Sequence, residues 1–510
     1  MALKVNRGDP VLKVRKSGIL LHITSVPSEF GIGDLGKGAY LFADFMAEAG
    51  QTLWQILPFN PSSRACGNSP YCSYSAFAGN PLLVGLEPLV EEGYISAADL
   101  CRLPPFNPHR SDYDRAAQFK YQVLEMAFDK FRNMPDKACR FDDFLRQNAY
   151  WLNDYALFTV LKEHFGGTAW NEWPQDIRDR TEPALRKWGT ELSERIVREK
   201  FYQFLFFSQW KALKEYCNRK NIQVFGDLPI YVSYDSSDVW SNPRFFKLDE
   251  EKKPLFVSGV PPDYFSKTGQ LWGNPVYSWD TLKEDSFSWW IKRLEHNLAY
   301  LDLIRLDHFR GFVAYWEVPA SEKTAINGVW TKVPVKEFLD ALLKRFPALP
   351  IVAEDLGVIT ADVKEIMETY GFPGMKILHF AFGGDPAENP YIQHNHVRNC
   401  IVYTGTHDNN TSRGWFLHDA DKDEKSRMQL YLGRELDEKN VSRELVRFAM
   451  MSVADTVIIP MQDFLDLGVE ARMNTPSTTF GNWEWRLAAD QLTPELAEEI
   501  METTNLYGRG

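Results

Sequence analysis

At 510 residues the chain is too long for one simple core but within reach of a barrel with insertions. Its 44% hydrophobic and 25% charged residues give the ordinary globular balance, and no apolar run approaches the length of a membrane span. A formal net charge of −12 without a basic run excludes nucleic acid and anionic membrane as natural partners and suits a neutral or cationic ligand.

The first residues, MALKVNRGDPVLKVRKSG, are polar and basic and lack the apolar stretch of a signal peptide, so the protein is expected in the cytoplasm. A first strand is predicted over 18–26 (GILLHITSV), a helix over 36–50 and a second strand over 52–59 (TLWQILPF). Residues 85–195 read as a mostly helical insertion, and 198–221 as a further helix before the third strand at 223–232 (QVFGDLPIYV). The stretch 233–285 is long, aromatic and glycine-bearing, with no clear period, and is read as an ordered loop insertion. Beyond it come a helix (286–301), a fourth strand (301–309, LDLIRLDHF), a helix (335–346), a fifth strand (350–357, PIVAEDLG), a helix (360–371) and a sixth strand (374–382). A seventh strand (400–408, CIVYTGTHD), a helix (441–452) and an eighth strand (456–464) complete the series.

Near-continuous apolar runs fit strands of a parallel sheet covered on both faces. Their alternation with helices predicts an α/β fold: one (β/α)8 TIM barrel over 1–510, with the helical insertion between strands 2 and 3, the loop insertion after strand 3 and no C-terminal β-sandwich.

The six cysteines form no CxxC pair and read as free thiols in a reducing compartment; Cys66 and Cys72 share a loop, but no histidine stands near to complete a metal set. No cofactor is implied. Most of the 16 Trp, 21 Tyr and 34 Phe are accounted for by a large core, and some suit a cleft in which flat apolar faces stack on sugar rings.

In such a barrel the strands' C-terminal ends carry the site. Asp227, Asp307, Glu354, Asp355, His407, Asp408 and Asp463 all fall there. Helix capping alone would explain one or two of them. Carboxylates at four strand ends of one ring repel each other and are better explained by chemistry. Arg305 and Asp307 are two apart and share a strand face, so the guanidinium can hold Asp307 ionised as a nucleophile. Glu354 is the candidate for a carboxyl kept protonated by a less polar setting, and such a pair suits cleavage of a glycosidic bond.

Longer motifs sharpen the reading: GILLHITSVPSEFGIGDLG, GNSPYCSYSAFAGNP, FGDLPIYV, IRLDHFRGF, VAEDLG, FPGMKILHFAF, YTGTHDN and RMNTP…GNWEWR. Over roughly residues 17–490 these resemble the amylomaltases, the 4-α-glucanotransferases (disproportionating enzymes) of the α-amylase clan. The resemblance implies Asp307 as nucleophile, Glu354 as general acid/base and Asp408 as the third carboxylate. It implies that Arg305 and His407 hold the same sugar and that Asp227 is the acid of the third strand. Tyr71 looks like the aromatic under the donor sugar; Tyr264, Phe265, Gln270 and Trp272 look like the loop over the cleft; Asp385 is similar to a further sugar-contacting position. Trp54 and Trp485 are read as structural.

Two departures stand out: THDNN where many relatives have THDND, and SSRACGNSPYC where relatives often carry a tyrosine and glycine ahead of DSPY. Neither touches the three carboxylates. The function implied is a retaining transfer of α-1,4-glucan segments from a glucan donor to a glucan or glucose acceptor. The alternatives are a hydrolase using the same residues and a non-catalytic glucan-binding protein. The oligomeric state is not legible.

Overall fold

Runs of Val, Ile and Leu have no polar face to turn to water, and here they pair side by side as parallel strands with almost every side chain buried. The computed structural model describes residues 14–101, 103–262 and 266–510. Its strands are β1 (Lys16–Leu20), β2 (Leu53–Gln55), β3 (Gln223–Leu228), β4 (Phe256–Val260), β5 (Gln270–Pro275), β6 (Leu303–Leu306), β7 (Ala314–Pro319), β8 (Val329–Lys332), β9 (Ile351–Ala353), β10 (Gly374–Ile377), β11 (Cys400–Tyr403) and β12 (Thr456–Pro460). Eight of them form one parallel sheet in the order β10-β11-β12-β1-β2-β3-β6-β9. The Ala353 N–H donates to the Pro373 carbonyl at 2.9 Å, drawing β9 to the start of β10 and leaving a near-closed, TIM-like barrel. The eight apolar runs of the sequence supply these eight strands.

The helices Lys37–Glu48, Ser193–Arg219, Ser288–Tyr300, Val335–Arg345, Ala361–Tyr370 and Val441–Met451 lie where the 3.6-residue pattern predicts. Val441–Met451 shows why: Val441, Leu445, Phe448 and Ala449 recur on one face and are buried. Between β2 and β3 the chain is largely helical, including Tyr113–Phe131 and Pro135–His164. Phe131 stacks on Phe201 with ring centroids 4.5 Å apart, joining that region to the helix before β3. A buried ion pair adds a second tie: Lys120 Nζ lies 2.6 Å from Asp34 Oδ2 in the loop after β1.

A second, antiparallel sheet, β5-β4-β7-β8, was not legible as strands. Two of its members come from the stretch read as a loop. Gly259 and Gly273 interrupt their apolar pattern, and the register shifts between Val257 and Gly259, so no period of two emerges. Val257, Val318 and Ala325 form its small core.

The cysteine reading needs one correction. Cys66 and Cys72 are joined by a disulfide with Cα atoms 6.1 Å apart, while Cys101, Cys139, Cys217 and Cys400 are free. The cause is local: a single turn at Arg64–Cys66 ends on Gly67 at φ 62°, folding the loop back on itself. Spacing alone does not reveal such a fold-back. Among the described residues, no helix is long and apolar enough to cross a membrane.

Candidate active site

Polar side chains at and beyond the C-terminal ends of the parallel strands converge on one cleft of about 480 Å³. Tyr71 enters it from the loop after β2, Arg305 and Asp307 from the end of β6, Glu354 from the end of β9, and His407 and Asp408 from the loop after β11. Gln270 and Trp272 line the same cleft from β5. Eight residues singled out from the sequence therefore meet in one place.

Asp227 lies beneath them with its side chain sealed from solvent. Its Oδ2 accepts from Tyr71 OH at 2.7 Å and from Arg305 NH1 at 2.5 Å. The other arm of Arg305 reaches Asp307 Oδ1 at 2.9 Å. One guanidinium thus bridges two carboxylates, which the planar fork of arginine suits. Burial by itself lowers the affinity of Arg305 for its proton, but the charges of Asp227 and Asp307 override it and hold the group well above its ordinary range. Burial raises the Asp227 carboxyl, against the pull of Arg305.

Tyr71 OH also lies 2.9 Å from His407 Nε2, and the two rings stack at 5.3 Å. A phenol has one proton; given to Asp227, it leaves Tyr71 to accept from His407 in the tautomer that carries its hydrogen on Nε2. His407 is followed by Asp408, whose Oδ1 accepts from Asn474 Nδ2 at 2.7 Å. The Asp408 carbonyl accepts from Arg472 at 2.9 Å, so the segment around Asn474 fixes this carboxylate. Asn474 belongs to the RMNTP motif but carries no pattern that sets it apart in sequence.

Glu354 differs in character. Burial pushes its carboxyl up to about 7; the positive charge of Arg305 opposes this and the negative charge of Asp307 adds to it. Its Oε2 accepts from the His308 N–H at 2.8 Å and its Oε1 from the Leu356 N–H at 2.7 Å. Two carboxyl groups at the floor of one cleft therefore sit in opposed settings: Asp307 against a guanidinium, Glu354 against burial.

The remaining residues fall elsewhere. Asp385 is exposed, accepts from the Ala387 N–H at 2.9 Å, and does not line the cleft. Tyr264 and Phe265 lie outside the described residues. Asp463 is buried and accepts from the hydroxyls of Thr404 and Ser412 and from the Ser412 N–H, and Asp355 accepts from the Met375 N–H, so these two strand-end acids are engaged in structural hydrogen bonds. Trp54 donates to the Leu21 carbonyl within the core. Asn410, the departure in THDNN, donates to Asp419 and accepts from the Thr411 N–H.

The family model described as 4-alpha-glucanotransferase matches residues 21–492 of the chain. The chain belongs to the 4-alpha-glucanotransferase family. A 4-alpha-glucanotransferase of Synechocystis is 51% identical over 504 residues, covering 98% of this chain and 99% of its own. One from Thermus thermophilus is 46% identical, covering 94% and 96%. The amylomaltase from Streptococcus agalactiae in complex with acarbose superposes with a TM-score of 0.94 at 42% identity, covering 97% of this chain and 100% of that one. The protein is thus an enzyme, a 4-alpha-glucanotransferase (amylomaltase) acting on α-1,4-glucans.

Proposed function

We propose that the transfer runs as a retaining double displacement with Asp307 as nucleophile and Glu354 as general acid/base. In the first step an Asp307 oxygen attacks the anomeric carbon of a glucan donor, and Glu354 gives its proton to the departing 4-oxygen. In the second, the 4-hydroxyl of a glucan or glucose acceptor attacks the same carbon. Glu354 takes the hydroxyl proton, and Asp307 leaves as a carboxylate. The observation that carries this reading is the opposed setting of the two carboxyls. One Arg305 arm pairs with Asp307 at 2.9 Å, and burial favours the protonated form of Glu354.

Asp408, held by Asn474, and His407, held by Tyr71, are suited to grip the hydroxyls of the sugar whose bond breaks. Tyr71 offers it a ring face. Asp227 acts through Arg305 and Tyr71 and does not line the cleft. We assign to residues 233–285, which carry Gln270 and Trp272, the part of a cover over the cleft, and to the helical region 85–195 that of an insertion supporting the barrel.

The test is to incubate the protein with maltotriose and resolve the products by size and anomeric form. Glucose plus a ladder of longer α-1,4 chains, formed with retained α-configuration and nearly constant reducing ends, is expected. Newly formed β-linkages or β-anomers would overturn the double displacement.

A further inference from the structure

His308 follows the proposed nucleophile and adopts a backbone that side chains rarely take. Its φ and ψ are 50° and 54°, the left-handed region, where a β-carbon costs energy and residues other than Gly are uncommon, Asn, Asp and His being the ones enriched. A conformation of this kind is kept where its surroundings over-determine it. Three contacts do so. The backbone N–H points at Glu354 Oε2, 2.8 Å away. The ring meets Trp272 edge to face, with centroids 4.8 Å apart. The ring also lies against Gly311, where an added Cβ would lie 2.9 Å from its Cδ2. Nε2 is buried there without a hydrogen-bond partner, and burial lowers the ring's proton affinity to about 4, so it packs as a neutral ring.

We propose that His308 is a positioning residue for Glu354: its left-handed backbone, with the ring packed beside Gly311 and Trp272, directs its N–H at one carboxyl oxygen of the acid/base. The proposal rests on the reading of Glu354 given above. The other groups acting on that carboxyl are Arg305 and Asp307 from the end of β6, the neighbouring Asp355, the Leu356 N–H, and Tyr391 from the segment after β10. None of these sets the direction from which the His308 N–H arrives.

The test is a series graded by tolerance of a positive φ: His308→Gly, His308→Ala and His308→Val. All three remove the ring. Gly takes the left-handed region freely, Ala at a cost, and a β-branched residue hardly at all. Two substrates are used. Maltotriose needs protonation of its leaving oxygen, whereas release of fluoride from α-maltosyl fluoride does not. On maltotriose, kcat/KM is expected to fall from Gly through Ala to Val, with the Val variant lower than the Gly variant by about 10²-fold, the scale of a general acid's contribution. Fluoride release should fall less, by at least about tenfold, in the same variant. Loss of an N–H bond to the charged form lets the carboxyl hold its proton to higher pH, so the basic limb for maltotriose should move up by about one pH unit in Val and stay in place in Gly.

Should Val fail to fold, the Gly–Ala pair still differs only in the β-carbon and must show the same order. Equal limbs across the series, or equal losses on both substrates, overturn the proposal. Glu354→Gln serves as control. If it retains maltotriose turnover, the acid/base reading fails and this proposal falls with it. If it loses turnover while the series shows no order, this proposal alone fails.

Discussion

Arg305 and Asp227 form an ion pair beneath the cleft, 2.5 Å apart, with side-chain exposures of 6% and 0%. The arrangement makes the guanidinium part of the scaffold as well as of the site. Removing one partner of a buried pair leaves the other charge desolvated and unmatched, which costs about 3–5 kcal/mol. Arg305→Met should therefore lower unfolding stability in urea by an amount of that order and abolish transfer. Arg305→Lys cannot fork to both acids and should keep more of the stability than of the activity. Equal stability of wild type and Arg305→Met would show that Asp227 is not held as a charge.

Asp307→Asn and Glu354→Gln should each lower kcat on maltotriose by several orders of magnitude with the fold intact, because each removes a group used in the bond-breaking transition state. They should part company on a glycosyl fluoride, whose leaving group needs no acid. The Glu354 variant should then accumulate a sugar adduct on Asp307, visible by mass spectrometry of the digested protein. An adduct on Asp408 or any other residue reassigns the nucleophile.

The barrel strands were legible because a strand buried on both faces needs an uninterrupted apolar run, and the polar residue that ends each run marks the mouth. Tyr71, Arg305, Asp307, Glu354, His407 and Asp408 follow from those ends together with the family motifs. What could not be read depends on long-range contact. Asn474 and Arg472 matter because they reach Asp408 from beyond β12, a separation of some sixty residues. The pairing of β4 with β7 and the Cys66–Cys72 link depend on register and on a fold-back, neither of which leaves a period in the sequence. His308, inside the motif IRLDHFRGF, carries no sequence pattern of its own; its backbone angles and its N–H contact set it apart.

Glu354 also makes a prediction about pH. Its folded-state value, about 7, lies above its ordinary 4.5. The folded state therefore binds the extra proton between those limits. Stability from this group is fully present below about pH 4.5 and is lost as pH rises through 7. A tenfold gain in proton affinity on folding is worth about 1.4 kcal/mol, and partial solvation of the cleft reduces the total to on the order of 2–3 kcal/mol. The stability of wild type relative to Glu354→Gln should fall by that amount from pH 4.5 to pH 8, measured by urea unfolding at each pH. In parallel, kcat/KM on maltotriose should decline on a basic limb near pH 7, since the free enzyme needs Glu354 protonated. A stability difference flat across this range would mean that Glu354 titrates normally.

Sugar and water compete for the glycosyl enzyme. A glycosyl enzyme reacts with any hydroxyl, and water at tens of molar outnumbers an acceptor glucan at millimolar by about 10⁴, a handicap of ~5–6 kcal/mol. Oriented binding supplies effective molarities of ~10⁵ M or more, enough to reverse it, and a cover that excludes water adds to the effect. Trp272 is placed for both tasks. It lines the cleft from β5, keeps 38% of its surface exposed, and braces its ring against His308 beside the proposed nucleophile. Its Nε1 donates to Gln270 Oε1 at 3.2 Å, a contact that orients the ring without burying it. Trp272→Ala should leave Asp307 and Asp408 in place and remove the platform; any loosening of Glu354 through His308 slows transfer and hydrolysis alike and leaves their ratio to report the platform. On maltotriose the variant should release reducing ends faster relative to transfer, and the ladder of longer chains should shrink, with the acceptor KM rising by about tenfold for loss of ~1–2 kcal/mol of stacking. Replacement by Phe should restore most of the transfer, because it returns an aromatic face. If Trp272→Ala keeps the wild-type ratio of transfer to hydrolysis, the ring only packs the strand, and acceptor selection must be sought elsewhere on the cleft wall.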